Sequence, residues 1–426
     1  MHVRRQAHPD RRCQPAAFLH RFRKPPPPGN RRLNGLGRAT FHGHVTTLHA
    51  RTVNFRHFTP KCYDRPSGFR LVLKGIRDGI FLPNGWQRTY SNMRQLAEKC
   101  CRHWEAWKLN GGTGEELFAR GLPDNRQIWS ATALLDEQHH RLLRDVHTSF
   151  LAAGSDYITC NNYGVTPGVG FSDEEIVRYT TIAGRVAREA CDEWTLTSSD
   201  TTRPKPKVCG SLPPLLESYR ADKVPEHNEG VRCYAMIAAT LEPFVDCYLA
   251  ETLSSVEEAR MALLGVQGAS GDTQKSAEVM VSFTLNSRGQ LRSGENVCEA
   301  AQELIRFTES ISKAELRGIL FNCSQPEAVC KALHELHADE NLQTSLCSRR
   351  VRLGAYANRL TVIPDNWALA ESSEPQAMRT DLSVQQYMEF VSKWLDLGAT
   401  IIGGCCGIGP EYISSVHSML QNRGLR

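Results

Sequence analysis

The chain has 426 residues, 41% of them apolar, with 51 Lys and Arg against 46 Asp and Glu for a net charge of +5. No stretch approaches the roughly 20 consecutive apolar residues of a membrane span, so no membrane partner is expected. The charge is divided unevenly: residues 1–104 hold 21 basic and four acidic residues and the remainder 30 and 42, so the body lacks the basic surface that nucleic acid requires.

Residues 1–60 carry Arg, His, the run Pro25-Pro26-Pro27-Pro28 and a single acid, Asp10. Such a segment cannot bury enough apolar surface to fold alone. Its Arg-rich, acid-poor composition also resembles an organelle transit peptide. Residues 61–104 are ambiguous, with Ser91–Trp107 suited to a helix. The expected division is therefore a basic extension over 1–104 and a folded unit over 105–426. Fifteen scattered cysteines without a clear secretory signal read as reduced thiols inside a cell. The cytoplasm is the expected compartment, with an organelle as the alternative address.

From Trp107 onward, short apolar runs alternate with longer amphipathic segments. The runs that read as strands are Trp107–Asn110, Asp156–Cys160, Lys207–Gly210, Val245–Ala250, Val279–Leu285, Gly318–Asn322, Leu360–Ile363 and Thr400–Gly403. Helical patterns lie between them at Leu142–Ala153, Asp173–Trp194, Gly230–Leu241, Ser255–Leu264, Asn296–Ile311, Pro326–Leu336 and Val384–Leu397. Strands that alternate with helices predict parallel pairing through crossovers. Eight such units predict a (β/α)8 barrel, with a doubly wound open sheet as the structural alternative. The polar stretches Thr195–Pro206 and Gly265–Ser276 precede strands and are expected as loops on the N-terminal face.

Barrel enzymes build their sites at the C-terminal ends of the strands. The residues expected there are Asn110-Gly111-Gly112-Thr113-Gly114-Glu115, Asn161-Asn162-Tyr163, Ser211, Glu251-Thr252, Cys323, Asp365-Asn366 and Gly404-Cys405-Cys406-Gly407. Cys323, Cys405 and Cys406 would meet at one end of the barrel. Three thiolates suit zinc and leave a fourth position open, as in catalytic sites. Adjacent side chains on a strand point to opposite faces, so Cys405 and Cys406 reach one metal only if the backbone bends, which the flanking glycines permit. The competing reading is three buried free cysteines. Gly111-Gly112-Thr113-Gly114 lacks the ending of a P-loop and the spacing of a dinucleotide fingerprint, so it reads as a turn against a small ligand. Glu251 is equally readable as a salt-bridged residue, and Trp129, Ser130 and Tyr163 as packing residues.

The chain resembles the homocysteine S-methyltransferases from about Leu109 to its end. The residues that carry this are LNGGTGEELFARG (109–121), IWSATALL (128–135), ITCNNYG (158–164), AETLSS (250–255), VSFTLNSRGQLRSG (281–294), GILFNCSQPE (318–327) and GATIIGGCCGIGPEYI (398–413). The resemblance implies a (β/α)8 barrel, zinc on Cys323, Cys405 and Cys406, and Glu251 on the amino group of homocysteine. It places the Gly111-Gly112 backbone against the amino acid, with Trp129, Ser130, Asn162 and Tyr163 lining the pocket. Asn110 stands where the family usually has Asp, keeping an acceptor oxygen but losing the charge. The implied reaction is in-line attack of a zinc-activated thiolate on a methyl group, forming methionine. A sulfonium donor leaves as a neutral thioether and needs no general acid. The resemblance covers only the homocysteine-binding barrel, so no cobalamin or folate domain is expected. S-Methylmethionine is the favoured donor, followed by S-adenosylmethionine, with betaine as the alternative. Two further readings are a non-catalytic zinc-thiolate barrel and transfer to another thiol or selenol such as selenocysteine.

Overall fold

The computed structural model describes residues 105–425, apart from 126, 201–202, 270–275, 365–366 and 368–375. Within them eight strands form one parallel sheet. They are β1 (Trp107–Lys108), β2 (Tyr157–Thr159), β3 (Lys207–Leu212), β4 (Cys247–Leu253), β5 (Ala277–Phe283), β6 (Ala314–Asn322), β7 (Arg352–Tyr356) and β8 (Ala399–Ile402). Neighbours in sequence pair from β2 through β8, and β8 pairs with β1, Trp107 lying opposite Ile401. The remaining seam, between β1 and β2, is held by local bonds. The Asp156 N–H donates to the Lys108 carbonyl at 2.8 Å, and the Lys108 N–H donates to Asp156 Oδ2 at 2.9 Å. At the other end of the seam the Thr159 N–H donates to Asn110 Oδ1 at 3.1 Å. The result is the expected (β/α)8 barrel, nearly closed.

The strands are buried along almost their whole length, because helices cover the outside and side chains fill the interior. Leu109, Tyr157, Cys209, Leu249, Met280, Leu320 and Ile401 form the inner cluster. The outer helices present apolar stripes to the sheet and start where the sequence caps them. Ser172 and Glu175 form a capping box ahead of Asp173–Thr197, and Ser383 caps Val384–Asp396. The helices expected at Leu142–Ala153, Gly230–Leu241, Asn296–Ile311 and Pro326–Leu336 are present as His140–Ala152, His227–Leu241, Val297–Phe307 and Pro326–Ala338. Among the described residues none of the helices is long and apolar enough to cross a membrane.

Three expectations are corrected. The seventh strand is Arg352–Tyr356, not Leu360–Ile363. Leu360 instead makes a single antiparallel bridge with Met378 beyond the strand's C-terminal end. Gly265–Ala269 belongs to the helix Val256–Ala269 rather than to a loop. Thr195–Thr197, the start of the other expected loop, likewise closes the helix Asp173–Thr197. Most of the Ser91–Trp107 helix, the extension over 1–104 and Asp365-Asn366 lie outside the described residues.

Candidate functional site

A cavity of about 270 Å³ opens at the C-terminal mouth of the barrel. Its wall includes Gly111, Gly112, Trp129, Asn161, Tyr163, Tyr219, Glu251, Thr252, Cys323, Tyr356, Cys405 and Cys406. Most of these follow directly from the ends of strands, so the alternation of strand and helix is what brings distant sequence together here.

The three cysteines converge. Cys323 Sγ and Cys405 Sγ each lie 3.9 Å from Cys406 Sγ, and all three sulfurs fall within 4.8 Å of one another. A tetrahedral zinc with bonds of about 2.3 Å sets its sulfurs about 3.8 Å apart, so the spacing fits such an ion. Cys323 directly follows β6 and takes a left-handed backbone with φ 48°. Gly407, at φ 76°, supplies the bend expected after Cys405-Cys406. Two partners that sequence reasoning missed surround Cys323: Tyr219 Oη at 2.8 Å and Asn358 Nδ2 at 3.7 Å. Hydrogen bonds from Cys405 and Cys406 hold the Cys323 thiol well below the usual range, with Tyr219 and Asn358 adding to this against the cost of burial. Cys405 and Cys406 are pushed up in turn, first by their hydrogen bonds with Cys323. One thiol of the trio is thus favoured as the thiolate at the expense of the other two.

Gly111 and Gly112 press against the cysteine loop. A Cβ on Gly111 would stand 2.0 Å from the Ile408 carbonyl oxygen, and one on Gly112 2.6 Å from that of Cys405. The Gly112 N–H donates to the Ile408 carbonyl at 2.9 Å, locking the two loops together. No larger residue would let the β1 loop reach the thiols.

Glu251 lies in an irregularity of the β4–β5 register, between Ala250 and Leu253. Such bulges re-aim side chains beside functional sites. Its neighbour Thr252 is left-handed at φ 64°. Glu251 Oε1 accepts from Ser211 Oγ at 2.6 Å and Oε2 from Tyr356 Oη at 3.5 Å. Among the described residues no cation lines the cavity wall, and burial pushes the carboxyl up to about 7. The salt-bridged reading of Glu251 thus finds no partner among the described residues, and its side chain is held by two hydroxyl groups instead.

The other expected residues divide. Trp129 (φ 48°) and Tyr163 stand on the wall, their rings 6.0 Å apart edge to face. Ser130 and Asn162 are fully buried behind it. Ser130 Oγ donates to Asn161 Oδ1 at 2.9 Å, and Asn162 Nδ2 donates to the Ser211 carbonyl at 2.9 Å. Of this asparagine pair, Asn161 and not Asn162 reaches the cavity. Asn110 borders the cavity, but its carboxamide is engaged with the protein. Oδ1 accepts from the N–H and the hydroxyl of Thr159, both at 3.1 Å. Nδ2 donates to the Gly111 carbonyl at 3.0 Å and to Thr113 Oγ1 at 2.9 Å. The amide orientation follows from these partners. A carboxylate would set an oxygen against the Gly111 carbonyl, so this chain's Asn suits its own loop.

Comparison with known proteins follows the same lines. The family model described as homocysteine S-methyltransferase matches residues 109–420. A homocysteine S-methyltransferase of Bacillus subtilis is 23% identical over 320 residues, covering 72% of this chain and 92% of that protein. A selenocysteine methyltransferase of Astragalus bisulcatus is 23% identical, covering 74% of this chain and 92% of that protein. A betaine-homocysteine S-methyltransferase of Drosophila melanogaster is 25% identical, covering 71% and 90%. Among solved structures, the metallated form of an Escherichia coli homocysteine methyltransferase superposes with a TM-score of 0.56 at 21% identity, covering 74% of this chain and 96% of that one.

Proposed function

Because the chain belongs to the homocysteine S-methyltransferase family, we propose that it transfers a methyl group from a sulfonium donor to the thiol of homocysteine, giving methionine. The observation that carries this is the meeting, in a single cavity, of three thiols at zinc spacing with the Glu251 carboxylate, which meets no cation among the described residues. We assign Cys323, Cys405 and Cys406 to zinc, and Glu251 to the substrate ammonium. Asn110, Gly111 and Gly112 form the backbone floor for the amino acid, with Trp129 and Tyr163 on its wall and Ser130 and Asn162 supporting them. We take residues 105–426 as the catalytic unit, with 1–104 outside it.

A zinc ion held by these thiolates supplies a Lewis-acid position that lowers the acceptor thiol's pKa. The remaining work belongs to the chain's residues. Glu251, held by Ser211 and Tyr356, orients the acceptor through its ammonium. The cavity excludes water and aligns the two sulfurs for in-line displacement. Glu115, Glu217 and Glu251 line the cavity together with aromatic faces, and no Lys, Arg or His lines it among the described residues. That lining favours a cationic donor. A neutral thioether leaving group asks for no general acid, and among the described residues no His–carboxylate pair lines the cavity to act as one.

The test is methionine formation by reduced, zinc-loaded protein given homocysteine with S-methylmethionine, S-adenosylmethionine or betaine in parallel. Product from a sulfonium donor is expected. Product from betaine alone would overturn the donor assignment. The selenocysteine methyltransferase relative favours one second reading, a selenol acceptor, which competition between the two acceptors in the same assay decides.

A further inference from the structure

Asn322 closes β6, one residue before Cys323, and is completely buried. Its carboxamide reaches across β5 to the end of β4. Oδ1 accepts the Thr252 N–H at 2.9 Å and the Ser282 hydroxyl at 2.7 Å. Nδ2 donates to Thr252 Oγ1 at 2.8 Å. An oxygen that faces a backbone N–H fixes the orientation of the amide, so the side chain has one way to sit.

The two residues it joins are both strained. Thr252, next to Glu251, has φ 64°, and Cys323 has φ 48°. A β-branched residue in this region is an outlier that persists only where its surroundings over-determine it. The Cys323 carbonyl is held as well, by Thr284 Oγ1 at 3.3 Å. One side chain therefore ties the carboxylate strand to the thiol strand, at the point where each departs from regular geometry.

We propose that Asn322 is a positioning residue that sets the span between the ammonium site at Glu251 and the thiol site at Cys323, and so selects the acceptor by chain length. This rests on the homocysteine reading given above. Homocysteine and cysteine differ by one methylene, a change of about 1.5 Å in reach. Freeing Thr252 lets Glu251 move by a comparable amount, while the three thiols keep their own loops. Misplacement by about 1 Å is enough to cost up to about a hundredfold in rate.

The test uses the zinc-loaded full chain, its Asn322→Ala variant and Ser282→Ala, which keeps the Asn322–Thr252 bonds and removes the Ser282 hydroxyl from Asn322 and from Tyr356. Zinc content and thermal unfolding are measured beside two ratios, homocysteine over cysteine, in kcat/KM and in calorimetric Kd. Asn322→Ala is expected to retain zinc while both ratios fall by about tenfold or more, the size of a one-methylene discrimination. Ser282→Ala is expected to show a smaller fall in the same direction. Equal losses for both acceptors in Asn322→Ala, or unchanged ratios in both folded variants, would overturn the proposal. If Asn322→Ala does not fold, an unchanged ratio in Ser282→Ala overturns it alone. A wild-type chain that binds neither acceptor contradicts the methyl-transfer reading itself and takes this one with it.

Discussion

The two ends of the barrel are built on different principles. At the N-terminal floor, charges are paired. Lys108 meets Asp156 at 2.8 Å, Arg317 meets Glu278 at 2.7 Å, and Arg188 meets Asp246 at 2.7 Å. At the C-terminal mouth ion pairs such as Arg379–Glu327 lie in the outer loops, while the cavity inside them has no Lys, Arg or His among the described residues and a strained backbone. Of the five described non-glycine residues with positive φ, four (Trp129, Tyr219, Thr252 and Cys323) line the cavity at the mouth. Glu251 lies there with no cation among the described residues of the wall, and three thiols crowd together. The floor is arranged for stability and the mouth holds stored strain and charge hunger for its ligands. Substitutions at the two ends should therefore separate stability from activity.

The largest effect is expected at the thiols. Cys406→Ala should abolish stoichiometric zinc and lower methyl transfer beyond the about 10–100-fold typical of removing a residue that only supports a metal ligand. Metal analysis beside initial rates checks this. Next comes Glu251→Gln, which keeps the shape and removes the charge. The KM for homocysteine should rise about tenfold to a hundredfold with kcat nearly unchanged, the worth of a charge-assisted hydrogen bond.

The same variant carries a pH signature. Burial pushes Glu251 from 4.5 up to about 7, so the folded protein binds a proton that the unfolded chain has already lost. Its contribution to stability is present below about 4.5 and is lost as pH rises through about 7. Glu251→Gln should accordingly melt higher than wild type above pH 7 and not below pH 4.5. Wild-type KM for homocysteine should rise as pH falls through 7, and this limb should vanish in the variant.

Asn110→Asp follows. Its amide already serves Thr159, Thr113 and Gly111, so restoring the family's charge sets a carboxylate against the Gly111 carbonyl. A stability loss of about 1–3 kcal/mol is expected without a lower KM, read from denaturant unfolding and kinetics. A lower KM with no loss of stability would mean that the substrate, not the loop, sets this position. The smallest effect on activity is expected at the floor. Asp156→Ala should cost stability, because it strands a largely buried Lys108, while KM stays within about twofold.

The contrast between the ends also explains what the sequence made legible. Seven of the eight strands were readable because parallel strands covered on both faces are short apolar runs. The seventh, Arg352–Tyr356, hides because its sequence Arg-Leu-Gly-Ala-Tyr has no β-branched residue and puts a glycine at its centre, where its neighbours crowd it. A Cβ on Gly354 would lie 2.6 Å from Leu320 and 2.9 Å from Ile401. The apolar Leu360 and Ile363 imitated it from the mouth, where they pack with Tyr219 and Cys323. Misplacing that strand also concealed Asn358, two residues past its end. The thiols, Glu251 and the Gly111-Gly112 turn were legible because each is a reactive or permissive residue at a strand end. Asn161 was passed over for Asn162 because strand alternation stops at Thr159 and no longer dictates which side chain faces inward. Tyr219 lies in the loop after β3, where neither period nor motif marks it.

X-ray absorption at the zinc edge of the reduced, zinc-loaded protein tests the central claim most directly. The account predicts one zinc with three sulfur neighbours at about 2.3 Å, rising to four when homocysteine is added. Failure to bind zinc, or a coordination shell that homocysteine leaves unchanged, would contradict it.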